Sequence, residues 1–430
     1  MVSSPSSPYA ESDDSRFYDD VRYTDRPVPR ISLRHFDTRI GSITAEVTAA
    51  AERHGFFALV DHGISQATID AQFVAAEQFF ALSDAVKAKI PFQAHCNAGW
   101  EQTSTLATTG IADAGDQKEK ETYQVRLSED HMAGQWVSDS DLPGFRQQTL
   151  SFMQACHSLS SRLMVCLARG LGLAEDNAKD DHVFVKAHDP TQPAIQTALR
   201  LRKYFATTEA SPSSSPPSVR STPATTPAAL AESTTSYMSS TPGTAYRGGA
   251  AKTFSDSSFL TLRFLRPGQS GLEICQNRGA VTNSVMDAGS EWTKIDPAAG
   301  EIICSVGDLL MLWSDDRYKS ALYRERAPTN RAVDHFGDCY SLAYINQPSR
   351  DCIVQGPLCT YPAMTTGAFL DLAQTQDFAE LAEKKQQKEF AETIAATSSA
   401  AAAATSHFHS DASTSAPTSF GMHSYMETMF

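Results

Sequence analysis

None of the eight cysteines stands in a Cys-x-x-Cys pair. Cys96, Cys156, Cys166, Cys275, Cys304, Cys339, Cys352 and Cys359 are scattered, which indicates neither a cysteine zinc site nor a disulfide framework. Cys156 and Cys166 lie in apolar helical sequence and read as buried thiols, and a reducing cytosol is the default compartment. No apolar run is long enough to span a bilayer. The Ser-rich, acidic start from Met1 to Asp20 lacks the basic and apolar regions of a signal peptide. The expected location is therefore cytoplasmic, with no membrane partner. No dense Lys/Arg cluster occurs and the formal net charge is −14, so nucleic acid is set aside as a partner. Nor does any histidine occur between His188 and His335, which excludes an imidazole metal ligand from that stretch.

What is present suffices for one large core or two small ones, since 41% of the 430 residues are hydrophobic. Residues 1–26 read as disordered. Pro29 to Leu33 looks extended, and Ile43 to Arg53 is Ala-rich and helical, closed by His54-Gly55. Phe56 to Val60 is a short apolar strand, and Ser65 caps a helix running to about Ile90. A long helix is predicted from about Pro143 to Leu173, where Leu150, Met153, Cys156, Leu159, Leu163, Cys166, Leu167 and Leu171 recur at steps of three and four. That stripe is core packing and carries no chemistry. A strand follows over Thr197 to Phe205.

From Ala206 to about Tyr246, Ser, Thr, Pro and Ala replace all apolar periodicity. Such a segment buries too little surface to offset its ordering entropy, and strand-like sequence flanks it, so 206–246 reads as a disordered insertion inside one domain. Between Phe259 and Asn346 come short β-type runs: Phe259–Leu265, Gly271–Cys275, Trp292–Ile295, Glu301–Val306, Leu309–Trp313, Ser320–Arg324 and Cys339–Ile345. Helices first and many short strands later predict an α+β chain with a helical layer on an antiparallel sandwich or barrel. Phe369 to about Ala396 is helical, and 397–430 reads as a disordered tail.

Several motifs carry a resemblance. They are His54-Gly55-Phe56-Phe57-Ala58-Leu59-Val60-Asp61-His62-Gly63, Ala98-Gly99-Trp100-Glu101, Arg200-Leu201-Arg202-Lys203-Tyr204, Phe254-Ser255-Asp256, Gly307-Asp308, Ser320 to Arg324 and Tyr340-Ser341-Leu342. In this order they resemble the 2-oxoglutarate/Fe(II) oxygenases of the isopenicillin N synthase type, over roughly residues 27–360. The resemblance implies a double-stranded β-helix, or jelly roll, as the core of the α+β fold, with an N-terminal helical layer. It implies a helical domain over 27–180, a jelly-roll domain over 181–360, and a helix with tail over 361–430. Fe(II) and 2-oxoglutarate are the cofactors the family leads one to expect.

The chain departs from the family where the chemistry lies. The family has His-x-Asp at Phe254-Ser255-Asp256 and a second His at Tyr323, so Asp256 alone survives of the two-His-one-carboxylate triad. Phe254 has no lone pair to give, and Tyr323 ligates only as a phenolate, against an ordinary pKa of about 10. The arginine that forks onto the cosubstrate carboxylate is replaced by Cys339, while Tyr204 and Ser341 are retained as its cosubstrate-binding neighbours.

Asp256 then reads either as residual metal ligand and acid/base group or as a turn aspartate bonding the Ser257 or Ser258 backbone. Tyr323 is either a substrate-facing catalytic hydroxyl or a barrel-core aromatic, and Phe254 fills the vacated metal cavity. Arg200, Arg202 and Arg263 are either solvated or, pointing inward, replace the lost guanidinium. His188 and His335 are the histidines to consider as recruited ligands. Three functions stay open. One is a small-molecule-binding family member that has lost standard turnover. The second is an oxidoreductase of specialised metabolism with atypical iron ligation through Asp256, Tyr323 and a recruited His. The third is an interaction protein acting through its Ser/Thr/Pro-rich segments.

Overall fold

The computed structural model describes residues 22–24, 27–104, 118–173, 182–192, 194–206, 253–269, 271–276, 278–283, 291–326, 328, 334–375 and 377–410. The expected disordered start apart from 22–24, the insertion beyond Ala206, and the last twenty residues of the tail lie outside the described residues.

The chain enters through β1 (Arg22–Tyr23) and β2 (Arg30–Ser32), then α1 (Phe36–Arg53) and β3 (Phe56–Val60). Helix α1 begins seven positions before the predicted Ile43, because its first two turns bury no residue fully. Its buried face starts only at Ile43 and continues through Val47, Ala50 and Ala51. Gly55 joins α1 to β3 at φ +69°, and a Cβ there would lie 2.3 Å from the Lys319 carbonyl oxygen, so only glycine serves.

Ser65 caps α2 (Gln66–Ala81), accepting from the Thr68 amide. The helix does not reach Ile90. Leu82 and Ser83 turn extended, and α3 (Asp84–Lys87) restarts behind Ser83.

Two strands are not evident from the residues, β4 (Gly99–Ser104) and β5 (Lys118–Arg126). The sequence of β5, KEKETYQVR, is too charged to read as buried, yet it is enclosed from Lys120 to Arg126. One of these charges is met by a partner from another element. Glu121 takes both its hydrogen bonds from buried Lys87 at 3.0 and 2.8 Å, and Lys87 also donates to the Phe80 carbonyl. The expected helical domain thus also extends the main sheet.

After α4 (Phe145–Gly170), with its predicted apolar stripe buried from Met153 onward, and α5 (Val183–Ala187), come β6 (Ala198–Tyr204), β7 (Leu260–Leu265), β8 (Leu272–Cys275), β9 (Glu291–Lys294) and β10 (Ile302–Val306). The predicted strand Leu309–Trp313 is instead α6 (Asp308–Trp313), wholly buried. A short apolar run has no period to separate strand from buried helix, and Gly307 ahead of it acts as the helix N-cap. β11 (Leu322–Glu325), β12 (Cys339–Asn346), β13 (Ile353–Val354), β14 (Met364–Thr365) and α7 (Thr366–Thr375) complete the first compact unit.

A second unit starts at Ala379, and its described part is α8 (Ala379–Ser410). The helix passes the expected end at Ala396 through a run of alanine, the best helix former, from Ala400 to Ala404.

Eight strands form one sheet in the order β2-β3-β10-β7-β12-β6-β5-β4, and four form a second, β1-β9-β8-β11. Phe56, Ala58 and Ile303 of the first sheet pack with Leu272, Ile274 and Tyr323 of the second in one apolar cluster. This is the α+β double-stranded β-helix expected, and its site lies where the sheet interior turns polar. No described helix is long and apolar enough to cross a membrane.

Candidate functional site

Phe254 and Tyr323, which the resemblance sets at the family's two histidine positions, are paired across an antiparallel bridge. Their backbones exchange two hydrogen bonds of 2.8 Å, and their rings lie 5.9 Å apart. Both are buried in the inter-sheet cluster. Two residues on, the Asp256 carboxylate is already occupied. Oδ2 accepts from Arg263 Nη2 and Ser305 Oγ, each at 3.0 Å, and Oδ1 accepts from the Ser258 amide at 3.2 Å. Burial works to raise this carboxyl, but Arg263 and the local hydrogen bonds outweigh it and hold it below its usual range. Arg263 also lies over the Tyr323 ring at 4.6 Å. The turn is clamped by the start of α6, where Asp308 N donates to Asp256 O and Leu309 N to Ser258 O.

Tyr204, expected with Ser341 to bind the cosubstrate, has a different partner. Tyr204 donates its hydroxyl to Glu325, whose other oxygen lies 3.5 Å from Arg202 Nη1. Tyr204, Ser341, Cys339 and Glu325 line one cavity, while Asp256, Tyr323, Arg202 and Arg263 line another. Arg202, Tyr204 and Glu325 are hydrogen-bonded together, Arg202 lining the cavity of Asp256 and the other two the cavity of Ser341. The structure therefore brings Asp256 to Tyr323 and Tyr204 to Ser341, but puts the two pairs in separate spaces. Burial, helped by Asp338, raises the Cys339 thiol to about 11, so at neutral pH it offers no charge.

Neither expected cofactor fits this donor set. Among the described residues no group of three or more His, Cys, Asp or Glu side chains is arranged to hold a metal. Buried His188 bonds the Phe184 carbonyl and packs on Phe259, and His335 borders a different cavity. Neither joins Asp256. At the cosubstrate position Glu325 uses the Tyr204 hydroxyl and repels a second carboxylate, and Cys339 supplies no bidentate cation.

The cavity beside Asp256 has a pattern that residue spacing does not disclose. Across the main sheet Gln124, Arg200, Ala343 and Arg263 stand in direct register on β5, β6, β12 and β7. The small Ala343 between two arginines leaves space that guanidinium groups line. Arg126, Arg200, Arg202 and Arg263 all border it, with Gln347 and Asn97. Arg202 and Arg263 are buried rather than solvated, and Arg126 is 1% exposed. The residues that sequence reasoning misses are Arg126, Gln347 and Glu325. The one available signal was the charged stretch Lys118–Arg126, whose pairing only the sheet reveals.

Residues 28–141 match the family described as the non-haem dioxygenase in morphine synthesis N-terminal domain, and residues 249–346 match the 2OG-Fe(II) oxygenase superfamily. The chain is 28% identical to a 2-oxoglutarate-dependent dioxygenase, frbA, of Dothideomycetidae sp. (strain 11243), over 70% of this chain and 78% of that protein. It is 26% identical to a proline hydroxylase, buaE, of Petromyces alliaceus, over 71% of this chain and 82% of that one. Among solved structures, a full-length Neurospora crassa protein in complex with alpha-KG superposes with a TM-score of 0.59 at 20% identity, covering 81% of this chain and 95% of that one. On its paired domain matches, its relatives and its double-stranded β-helix, the chain belongs to the 2OG-Fe(II) oxygenase superfamily.

Proposed function

We propose that this chain is a small-molecule-binding member of the superfamily that does not run iron-dependent 2-oxoglutarate turnover. The observation that carries the reading is the state of the surviving triad position. Asp256 spends both oxygens on Arg263, Ser305 and Ser258, beside an aromatic pair where two imidazoles would be needed. An incoming divalent cation would have to displace a guanidinium from a buried carboxylate and would gain no nitrogen ligand in return. In this reading Asp256 and Tyr323 build and line a binding cavity. Tyr204 and Ser341 border the neighbouring space, where Glu325 stands as a tethered carboxylate. The barrel keeps its pocket because the walls come from sheet register, which the loss of metal ligands leaves intact.

The test is anaerobic titration of the purified full chain with Fe(II), with and without 2-oxoglutarate. No stoichiometric binding is expected in either case. One equivalent of Fe(II) bound at micromolar affinity, strengthened by 2-oxoglutarate, would overturn the reading.

A further inference from the structure

We propose that Lys120 is a nucleophilic amine that captures a small aldehyde or ketone as an imine beside Tyr204 and Glu325. The inference goes beyond the metal-free reading and does not rest on it, since the step needs neither metal nor oxidant.

Alternation along β5 sets where Lys120 stands. Gln124 and Arg126 line the cavity beside Asp256. On the opposite face Tyr123 stacks on Phe79 of α2, and Glu121 takes Lys87. Lys120 and Thr122 share the parity of Gln124 and so belong to the inward row. In register, Lys120 lies directly opposite Tyr204 of β6 and Thr103 of β4. Directly opposed residues have Cβ atoms about 5 Å apart, so a lysine stem has the reach for the cavity that Tyr204 and Glu325 border.

The lysines around it are committed. Lys118 donates to Asp84 at 2.6 Å, Lys87 to Glu121 at 2.8 Å, and Lys203 pairs with Asp338 at 2.9 Å. Lys120 is 6% exposed, yet among the described residues it makes no hydrogen bond and no ion pair. A buried ammonium without a counter-charge is costly, and the neutral amine costs less.

The charges acting on Lys120 come from three other elements. Arg200 and Arg202 of β6 disfavour a third cation, while Glu325 of β11 and Glu101 of β4 favour it. Burial, the largest influence, prevails together with the arginines and lowers the ammonium to about 8. At that pH about half of the group is free amine, against about one part in 250 for an ordinary lysine of pKa about 10.4. Desolvation and an adjacent cation are the means by which proteins make lysine nucleophilic.

In the step itself the Nζ lone pair attacks the carbonyl carbon and the π pair moves to oxygen. One proton passes from nitrogen to that oxygen, giving a carbinolamine. The hydroxyl takes a second proton and leaves as water, the nitrogen lone pair closes C=N, and the last N–H proton is returned. Amine and carbonyl thus become imine and water with no change of oxidation state. Glu325, which acts on Lys120 and accepts from Tyr204, is the carboxylate that carries these protons. About 40 Å³ of the Tyr204 cavity is open to the centres of water-sized molecules, a few times the roughly 10–15 Å³ that one water requires, so the carbonyl compound is small.

The test uses the full chain in excess EDTA with propanal and cyanoborohydride, which reduces an imine to a stable propylamine. Peptide mass spectrometry locates the adduct. At about pH 7.5 Lys120 should be modified at least about tenfold faster than the exposed Lys294. Trace labelling with acetic anhydride supplies a second measurement, in which the rate at Lys120 should level off above about pH 8. Glu325→Gln removes a carboxylate that favours the ammonium, so it should move that plateau to lower pH. No propanal adduct at Lys120, modification no faster than at Lys294, a rate still rising at about pH 10, or an unmoved plateau in Glu325→Gln would each overturn the proposal. A Lys120 adduct in a protein that separately takes up stoichiometric Fe(II) would sink the metal-free reading and leave the reactive lysine standing.

Discussion

Replacing Arg263 by methionine tests whether Asp256 is a structural anion. The pair meets at 3.0 Å, with side chains 10% and 11% exposed. Removing one partner of a buried pair costs about 3–5 kcal/mol, because the other charge remains without its counter-charge. The slight exposure and the surviving bonds from Ser305 and Ser258 put the expected loss near the lower end, about 3 kcal/mol.

The pH dependence supplies the sharper readout. In the parent, Asp256 is held below its ordinary pKa, so its contribution is present above the unfolded value of about 3.9 and is lost as pH falls through the folded one. Without Arg263, burial, the largest influence on this group, raises the folded pKa above the unfolded one. The variant should then gain stability from Asp256 as pH drops from 7 towards 4, where that group in the parent contributes a constant amount. Urea unfolding of both proteins from pH 4 to 8, with Asp256→Asn and the double variant completing a cycle, measures this. A loss under about 1 kcal/mol at pH 7, or the same pH profile for parent and variant, refutes the reasoning.

Restoring imidazoles alone should not restore iron. Phe254→His with Tyr323→His is expected to bind no stoichiometric Fe(II) while Arg263 holds Asp256, and adding Arg263→Leu should give the first variant that does, read by anaerobic titration. His188 is buried and pushed down to about 4, so the fold disfavours its cation. Its contribution is full above pH 6.5 and declines by about 3 kcal/mol as pH falls to about 4, at about 1.4 kcal/mol per unit. His188→Leu should flatten that part of the stability curve measured by urea unfolding. Gly307→Ala would put a Cβ 1.8 Å from the Ser258 carbonyl oxygen, pushing on the turn that carries Asp256. It should lower stability by at least about 2 kcal/mol, visible in thermal unfolding.

Much of this protein is legible in its residues because local chemistry settles it. Gly55 has to end α1, Ser65 has to cap α2, and the apolar period over Phe145–Gly170 admits one buried helix. The absence of histidine from 189 to 334, with Phe254 and Tyr323 in place, is likewise read directly from the residues. Other elements stay hidden. Leu309–Trp313 has no period that separates strand from helix, and the charges of Lys118–Arg126 argue against burial until Lys87 arrives from another element to pair with Glu121.

The cationic cavity belongs to this second group. Arg126, Arg200, Arg263 and Gln347 lie far apart in the chain, and neither composition nor spacing connects them. The sequence by itself determined the family resemblance, the long buried helix and the absence of histidine at 254 and 323, since each is read from residues along the chain. Only the tertiary structure decided that Arg263 takes Asp256, that Glu325 takes Tyr204, and that four guanidinium groups share one wall. Those outcomes depend on cross-strand register, which is set by the whole sheet.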